Sequence, residues 1–203
     1  MAATVANIHI GQGELWVGGT PPAAGSDPND PTAGTPSVFN SMTTNYAAPT
    51  SGGTGVGFTN GAATLTYRPT YYMVETEQAF AEVVTIPTNE ETSLAATLLE
   101  ATYTNIATAW GQGTTRTTGG AQGIYVGSKS VVSTKVVVLH SRKRSGTGYY
   151  ILTLYVSYSM EGAAVPFERR AEMRIPVTMR AQADLTRPIG DQLFQLVAYD
   201  ANP

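Results

Sequence analysis

Side chains that could do acid–base or metal chemistry are few and scattered along this sequence of 203 residues. The two histidines, His9 and His140, each fall in a predicted strand, with no second histidine nearby and no carboxylate at metal-ligand spacing. A packed or surface strand histidine is the favoured interpretation of both. Serine is common, but no Gly-x-Ser-x-Gly segment marks a nucleophile. The sequence therefore predicts no catalytic residue, no metal site, no cofactor and no enzyme.

Two glycine-rich segments superficially resemble phosphate-binding loops. A phosphate cradle needs a helix N-terminus directly after its glycines. GGTGVGF at 52–58 is followed instead by an Asn60-Gly61 turn signal and a predicted strand. Gly111-x-Gly113 follows a predicted helix rather than opening one. GGTGVGF is therefore interpreted as flexible, and neither segment is interpreted as a nucleotide site.

Charged side chains form two small clusters, each with a bland and a functional interpretation. The basic one is Arg142, Lys143 and Arg144, either a solvated hairpin tip or a contact with an acidic patch on a neighbouring subunit. The acidic cluster lies around a predicted hairpin. It is either a solvated sheet face or a surface whose carboxylates prevent DNA from binding. Its members are Glu75, Glu77 and Glu82.

The composition favours an assembling protein over a nucleic-acid binder or a membrane protein. Only 13% of residues are charged, against about 25% in ordinary soluble domains, and such a surface is weakly protected against association. An extracellular β-protein is the alternative. The net charge of −3 argues against binding by phosphate neutralisation, and the lack of cysteine excludes disulfides. No apolar run of about 18 residues and no signal-like N-terminus is present, so we expect a chain made in a cytoplasm that stays there or leaves within something larger.

A short helix near 101–110 is the best-defined predicted element. Its packing stripe is Tyr103, Ile106, Ala107 and Trp110. Thr102 is the predicted N-cap and Gly111 the predicted stop. A stripe through Ala95, Leu99, Tyr103 and Ile106 would give one longer helix, but the threonines of this segment disfavour it. A strand over 92–99 that turns into a helix near Glu100 is therefore favoured.

Nearly everything else is predicted as strand or loop. Pro69 and Pro176 lack an N–H, so their strands should be edge strands or bulged. The strand at 149–160 should bury one face, the strand at 193–199 should bury both, and 111–123 should be a polar loop. In the strand at 165–180, Met173, Ile175, Val177 and Met179 alternate with polar residues. The predicted strands are 4–10, 14–17, 65–77, 80–86, 124–126, 135–141, 149–160, 165–180 and 193–199. This pattern indicates a mainly antiparallel β-sandwich or half-barrel with one flanking helix.

The chain is predicted to be one domain, 1–203, that carries a long excursion. Residues 19–57 are rich in proline and glycine and form a longer loop than a compact domain usually carries. The excursion also contains Val38, Phe39, Met42 and Tyr46, which are too apolar for a pure linker. We expect an arm that docks on another subunit, with Phe39 and Tyr46 among its contacts.

Two segments resemble the major tail tube proteins of long-tailed bacteriophages. Residues 74–111, VETEQAFAEVVTIPTNEETSLAATLLEATYTNIATAWG, resemble the core of that family, a hairpin leading through a strand to a short helix that ends in glycine. Residues 173–200 resemble its C-terminal strands and the turn between them, which here carries Asp184, Thr186, Arg187 and Gly190. The length and proline content of residues 19–57 depart from the family pattern.

The resemblance implies a structural virion protein with no small-molecule substrate. Members form homohexameric rings whose inner sheets close into one barrel, and the rings stack into a hollow phage tail tube assembled in the host cytoplasm. The implied partners are further copies, the tape-measure protein, DNA in transit, and the tail terminator and tail-tip proteins. DNA must slide through the bore, so we expect Glu75, Glu77 or Glu82 to face it and the 142–144 tip to face away. The alternatives are a tube subunit of a contractile injection or secretion apparatus and, in another class, a lipocalin-like ligand-binding barrel.

Overall fold

A computed structural model of the chain describes residues 13–18, 54–76, 79–111, 113–127, 131–142, 149–165 and 173–199. These residues form ten strands and one short helix, a mainly antiparallel β-fold, as the sequence predicted. The strands are β1 Glu14–Val17, β2 Thr54–Phe58, β3 Thr64–Thr76, β4 Ala79–Leu98, β5 Thr114–Thr118, β6 Ala121–Tyr125, β7 Lys135–Arg142, β8 Tyr149–Ser159, β9 Ile175–Gln182 and β10 Phe194–Tyr199; the helix is α1 Tyr103–Trp110.

One large open sheet dominates the molecule. Its strand order is β2-β1-β7-β8-β9-β4-β3, and β10 pairs with β8 off this path. One edge of β8 pairs with β7, so the other edge is shared, with β10 along residues 149–154 and β9 along 156–159. An isolated bridge between Thr59 and Leu98 brings the end of β2 to the end of β4. The sheet therefore curves into a half-barrel and leaves β3 as an edge strand.

The core lies inside this curve. Leu15, Leu98, Leu154 and Ile175 are fully buried there and belong to one continuous apolar cluster. The predicted alternation of β9 is confirmed, because Ile175, Val177, Met179 and Ala181 are buried while the residues between them are exposed or half-buried. Burial of this apolar surface is what holds the strands together.

The prediction that β8 buries only one face is wrong. Thr153, Tyr155 and Ser157 occupy the face predicted to be polar, yet all three are buried. The guanidinium of Arg187, from the loop between β9 and β10, lies 3.4 Å from the Tyr155 ring and helps to cover this face. A central strand can thus be covered on its polar face by a loop that local alternation does not reveal.

The predicted end of the strand 80–86 at Pro87 is also wrong, since β4 runs on to Leu98. The register shifts between Thr70 and Tyr71, which pair with Asn89 and Pro87, so Thr88 is the extra residue of a bulge. The Thr88 hydroxyl donates to the carbonyl oxygen of Thr70 at 3.1 Å. A bulge is one of the places where a strand tolerates proline, so the chain continues through Pro87 without turning.

Two segments predicted as loops are strands. The predicted polar loop 111–123 contains the hairpin of β5 and β6, which turns at Gly119 and Gly120, both with positive φ. The flexible interpretation of GGTGVGF is wrong for residues 54–58, which form β2 at the end of the predicted 19–57 loop. Val56 anchors this strand in the core, and a Cβ at Gly55 would lie 3.1 Å from the Trp16 ring.

Both prolines lie where their strand has an unpaired side among the described strands, as predicted. The predicted burial of the strand at 193–199 on both faces is wrong. Pro69 lies in β3, the edge strand. Pro176 lies in the half of β9 that pairs only with β4, because β8 pairs with residues 179–182. The strand predicted at 193–199 was expected to be buried on both faces, but Leu196 of β10 is 57% exposed because no described element covers that face.

The helix begins and ends where the sequence predicted, and the longer helix is excluded. The Thr102 hydroxyl accepts from the backbone N–H of Asn105 at 3.2 Å, and Gly111 closes the helix with φ 68°. The fully buried helix residues are Asn105, Ala107, Thr108 and Ala109. The predicted packing residues Tyr103, Ile106 and Trp110 lie half-buried. The Nδ2 of Asn105 donates to the carbonyl oxygens of Val56 and Glu100, both at 2.7 Å, and so fixes the helix to β2.

Candidate assembly surface

The hairpin of β3 and β4 extends well beyond the body of the sheet. Only residues 93–98 of β4 pair with β9. The outer part, residues 70–76 and 79–89, is bonded only within itself among the described strands, and we call it the arm. The arm therefore presents two free backbone edges, one along β3 and one along β4.

Apolar side chains cover the arm without being buried. The register pairs Tyr72 with Ile86 and Val74 with Val84. Residues paired in this way, and residues two apart on one strand, share a face, so these four form one apolar quartet. Tyr72, Val84 and Ile86 are between 47% and 61% exposed, and Val74 is half-buried.

A surface of this kind is costly for an isolated chain. A two-stranded ribbon is at best marginally stable alone in water, and free strand edges invite pairing with other chains. A contiguous exposed apolar patch commonly marks an interaction site. The arm is therefore the candidate functional site of this protein.

The loop between β9 and β10 is held by a polar lock around Arg187. The Arg187 side chain is almost fully buried; its Nη1 lies 3.1 Å from Asp191 Oδ2 and its Nε lies 3.4 Å from Asp184 Oδ2. Tyr155 completes the lock: its ring packs under the guanidinium and its hydroxyl donates to Asp191 Oδ1 at 2.7 Å. The Thr186 hydroxyl donates to Asp184 Oδ1 at 2.6 Å, and Gly190 has a φ of 96°. Four of these residues are those the sequence placed in a turn.

The lock changes the titration of two of its members. Burial, together with the hydrogen bond to Asp191, raises the pKa of the Tyr155 hydroxyl. Hydrogen bonds from the side chain and the backbone N–H of Thr186, with the nearby Arg187 charge, lower the pKa of Asp184. Tyr155 thus stays a proton donor and Asp184 stays a carboxylate across the neutral pH range.

The locked loop presents two bare apolar side chains. Leu185 is 83% exposed and Ile189 is 98% exposed. Between this loop and the base of the arm lies an open groove of about 670 Å³. Tyr67 is one of the lining residues: its ring meets Phe194 edge-on, with 6.1 Å between the ring centroids, and its hydroxyl donates to Glu90 Oε1 at 2.8 Å. The hydrogen bond to Glu90 raises the pKa of Tyr67.

The structure locates only some of the predicted charged and contact residues. Glu75 lies opposite Glu82 in the register of the arm. Arg142 is the last residue of β7. The remaining candidates, Phe39, Tyr46, Glu77, Lys143 and Arg144, lie outside the described residues, as do His9 and the predicted strand at 4–10.

The described part of the chain brings together no set of side chains for metal chemistry. His140 is buried in β7 opposite Glu14 of β1, and burial raises the pKa of Glu14. No group of three histidine, cysteine, aspartate or glutamate side chains there could hold a metal ion. Among the same residues no helix has the length and apolar character needed to span a membrane.

Sequence reasoning missed the quartet and the groove. A signal for the quartet was present in Tyr71-Tyr72-Met73-Val74, four large residues in a row within a strand placed at an edge by Pro69. The groove had no local signal, because its lining comes from three separate segments. No protein-family model matches the chain, and no curated protein matches it either.

Proposed function

We propose that the protein is the structural subunit of a tail tube of a long-tailed bacteriophage, in which stacked hexameric rings form the channel that conducts DNA. The observation that carries the proposal is the arm, whose strand edges are unpaired and whose apolar quartet is exposed in the part of the chain that the structure describes. A second copy that pairs with the arm would cover both its strand edges and its apolar quartet. Head-to-tail contacts of that kind generate rings or filaments.

Further features of the chain support this proposal. The half-barrel is open at β3, so the sheet can continue into another copy. The turn residues Asp184, Thr186, Arg187 and Gly190, on which the family resemblance partly rests, form a built lock rather than a loose loop. The chain is poor in charge, which lowers the desolvation cost of large contacts.

In the proposed tube the acidic end of the arm faces the bore. The pairing of Glu75 with Glu82 places two acidic residues side by side in the arm, and carboxylates do not retain phosphates. The basic tip at 142–144 faces away from DNA, and residues 19–53 with Phe39 and Tyr46 contact a neighbouring copy. A density map of the tube tests this orientation; a bore lined by the basic tip would reverse it.

The inside of the half-barrel does not favour the ligand-binding alternative. Leu15, Leu94, Leu98 and Leu154 fill the core with side chains that are at most 1% exposed. A contractile apparatus would use the same arm and sheet, and copurification with a sheath protein would identify it. Tape-measure, terminator and tip proteins are the further proposed partners.

Electron microscopy of the purified protein tests the proposal most directly. We expect rings or tubes from the natural chain, and a monomer with an unchanged circular dichroism spectrum when Tyr72→Ser and Ile86→Ser are combined. Tyr125→Ser is the matched control, because Tyr125 is equally exposed but lies in β6, away from the arm. A natural chain that stays monomeric at every concentration would refute the proposal.

A further inference from the structure

The groove beside the arm has the shape and lining of a site for a β-strand. Its walls come from residues 87–90 of β4, from the locked loop and from the start of β10. Glu90 is the one formally charged residue among the side chains that line it, and the Tyr67 hydroxyl already donates to this carboxylate. The other lining residues carry no charge. Some are neutral and polar, such as Thr88, Asn89 and Gln192, and the large apolar ones are Tyr67, Pro87, Ile189, Leu193 and Phe194.

The groove opens where two rows of the sheet part from each other. The ladder between β8 and β9 ends at the pair Val156–Gln182, and the ladder between β8 and β10 begins at the pair Leu154–Phe194. Both ladders lie along the same edge of β8, so β9 and β10 form one row beside it. β4 pairs with this row as far as Ser93 and Arg180 and then leaves it. Beyond that point neither β4 nor β10 is paired with the other, so in the described chain two free strand edges border the groove.

The arm of a second copy matches this groove in chemistry and in hydrogen bonding. The quartet Tyr72, Val74, Val84 and Ile86 carries no charge, so seating it in the neutral groove buries no unpaired charge. Among the described strands, β3 has a free edge along its whole length, and it can supply the N–H and C=O groups that the bordering edges lack. Ile189 stands exposed on the wall formed by the locked loop, where it would contact the entering arm.

We propose that the arm of one copy docks in the groove of the next copy, between β10 and the base of that copy's own arm. Each chain then supplies one arm and one groove, which is a heterologous contact that repeats from copy to copy. The inference rests on the proposed assembly and deepens it, because it names the two surfaces that meet. The Arg187 lock is the device that holds the groove wall in place before the arm arrives.

Mixed disulfide cross-linking tests the contact, and the cysteine-free chain gives a clean background. One preparation carries Val84→Cys in the arm and the other carries Ile189→Cys at the groove; they are mixed, assembled and oxidised. A disulfide needs Cα atoms within about 7 Å of each other. We expect a cross-linked dimer in the mixture, roughly tenfold more abundant than in a mixture of Val84→Cys with Thr117→Cys, a control on the exposed strand β5.

A second pair, Tyr72→Cys with Ile189→Cys, keeps the test decisive if Val84→Cys does not fold, and it should cross-link in the same way. Tubes could form in which the disulfides join one Val84→Cys to another Val84→Cys, or join Val84→Cys to Thr117→Cys. That result would overturn the docking inference and leave the proposed function standing. A natural chain that forms no assembly, with no cross-link in either mixture, would overturn both. A groove that instead takes up a small apolar probe in the assembled tube would show that no arm fills it.

Discussion

At the residue scale, Arg187 shows how a buried cation can serve the surface around it. Its planar guanidinium stacks on Tyr155 and reaches Asp184 and Asp191 together, which a lysine could not reproduce. Local backbone bonds complete the turn, including the N–H of Asp184 donating to the carbonyl oxygen of Gln192 at 2.9 Å. The result is a loop fixed well enough to hold Leu185 and Ile189 in water.

Replacing Arg187 with methionine should destabilise the fold by about 2–3 kcal/mol, measured by urea unfolding. The loss stays below that of a fully buried pair because the side chains of Asp184 and Asp191 are 14% and 35% exposed and regain water. Arg180→Met is the matched control. Its bond to Glu91 is 3.6 Å long and lies at the surface, so at most about 1 kcal/mol should be lost. Equal losses in the two variants would contradict the lock.

Asp184 should make stability depend on pH in the acid range. Its folded-state pKa lies below the ordinary value of 3.8, so its contribution is fully present above that value and is lost as the pH falls through the folded pKa. The natural chain should therefore unfold at a higher temperature than Asp184→Asn at about pH 6, and the gap should begin to narrow once the pH falls below about 4. Thermal unfolding monitored by circular dichroism measures the gap; one that stays constant down to about pH 2 would exclude this role.

At the element scale, the sequence predicted best where each local rule pointed the same way. The helix was marked by the Thr102 cap and the Gly111 stop, and the structure has both; of its predicted apolar stripe, only Ala107 is buried. β9 was marked by strict alternation, which burial confirms. An element can be predicted from local sequence alone when its capping residue, its apolar periodicity and its terminating residue all agree.

Elements set by distant contacts were not readable in the same way. β4 passes through Pro87 because a bulge against β3 absorbs the proline, and this depends on the register of another strand. β5 is exposed along its whole length, so it has no apolar period to detect. β8 hides its polar face under a loop some 30 residues further along the chain, with Tyr155 and Arg187 in contact. The groove could not be predicted for the same reason, because three separate segments meet to form it.

Removing the helix cap should cost a measurable part of the stability. Thr102→Ala deletes the hydroxyl that accepts from the N–H of Asn105, and we expect a loss of about 1 kcal/mol in urea unfolding. Thr104→Ala is the control, because Thr104 is exposed inside the same helix and alanine is the better helix former, so stability should hold or rise slightly. A larger loss at Thr104 than at Thr102 would contradict the assignment of the cap.

At the scale of the whole molecule, the chain divides into a packed body and an uncovered arm. The apolar cluster of the body contains Leu94 and Leu98 from the inner end of β4 but none of the arm residues whose side chains the structure describes. The body is therefore packed within one chain. In the proposed assembly, another copy would cover the arm.

Hydrogen exchange should report this division. In the unassembled chain, amides of the arm should exchange orders of magnitude faster than those of β8, because the arm opens locally without unfolding the body. On assembly the arm should slow sharply, while β8, already central in the sheet, should hardly change. Mass spectrometry of peptides from 70–89 and 149–159 gives the comparison. An arm that exchanges equally fast before and after assembly would argue against its burial between copies.

The continuity of β4 has a mechanical consequence. Its 20 residues form one unbroken strand from the exposed arm to the residue before the α1 junction, a span of about 65 Å at 3.3 Å per residue. In an assembly joined through the arms, tension on a joint would pass along this covalent strand into the ladders with β3 and β9, loading their hydrogen bonds side by side rather than one after another. A tube built in this way would resist stretching through its strands, and its loops would carry little of the load.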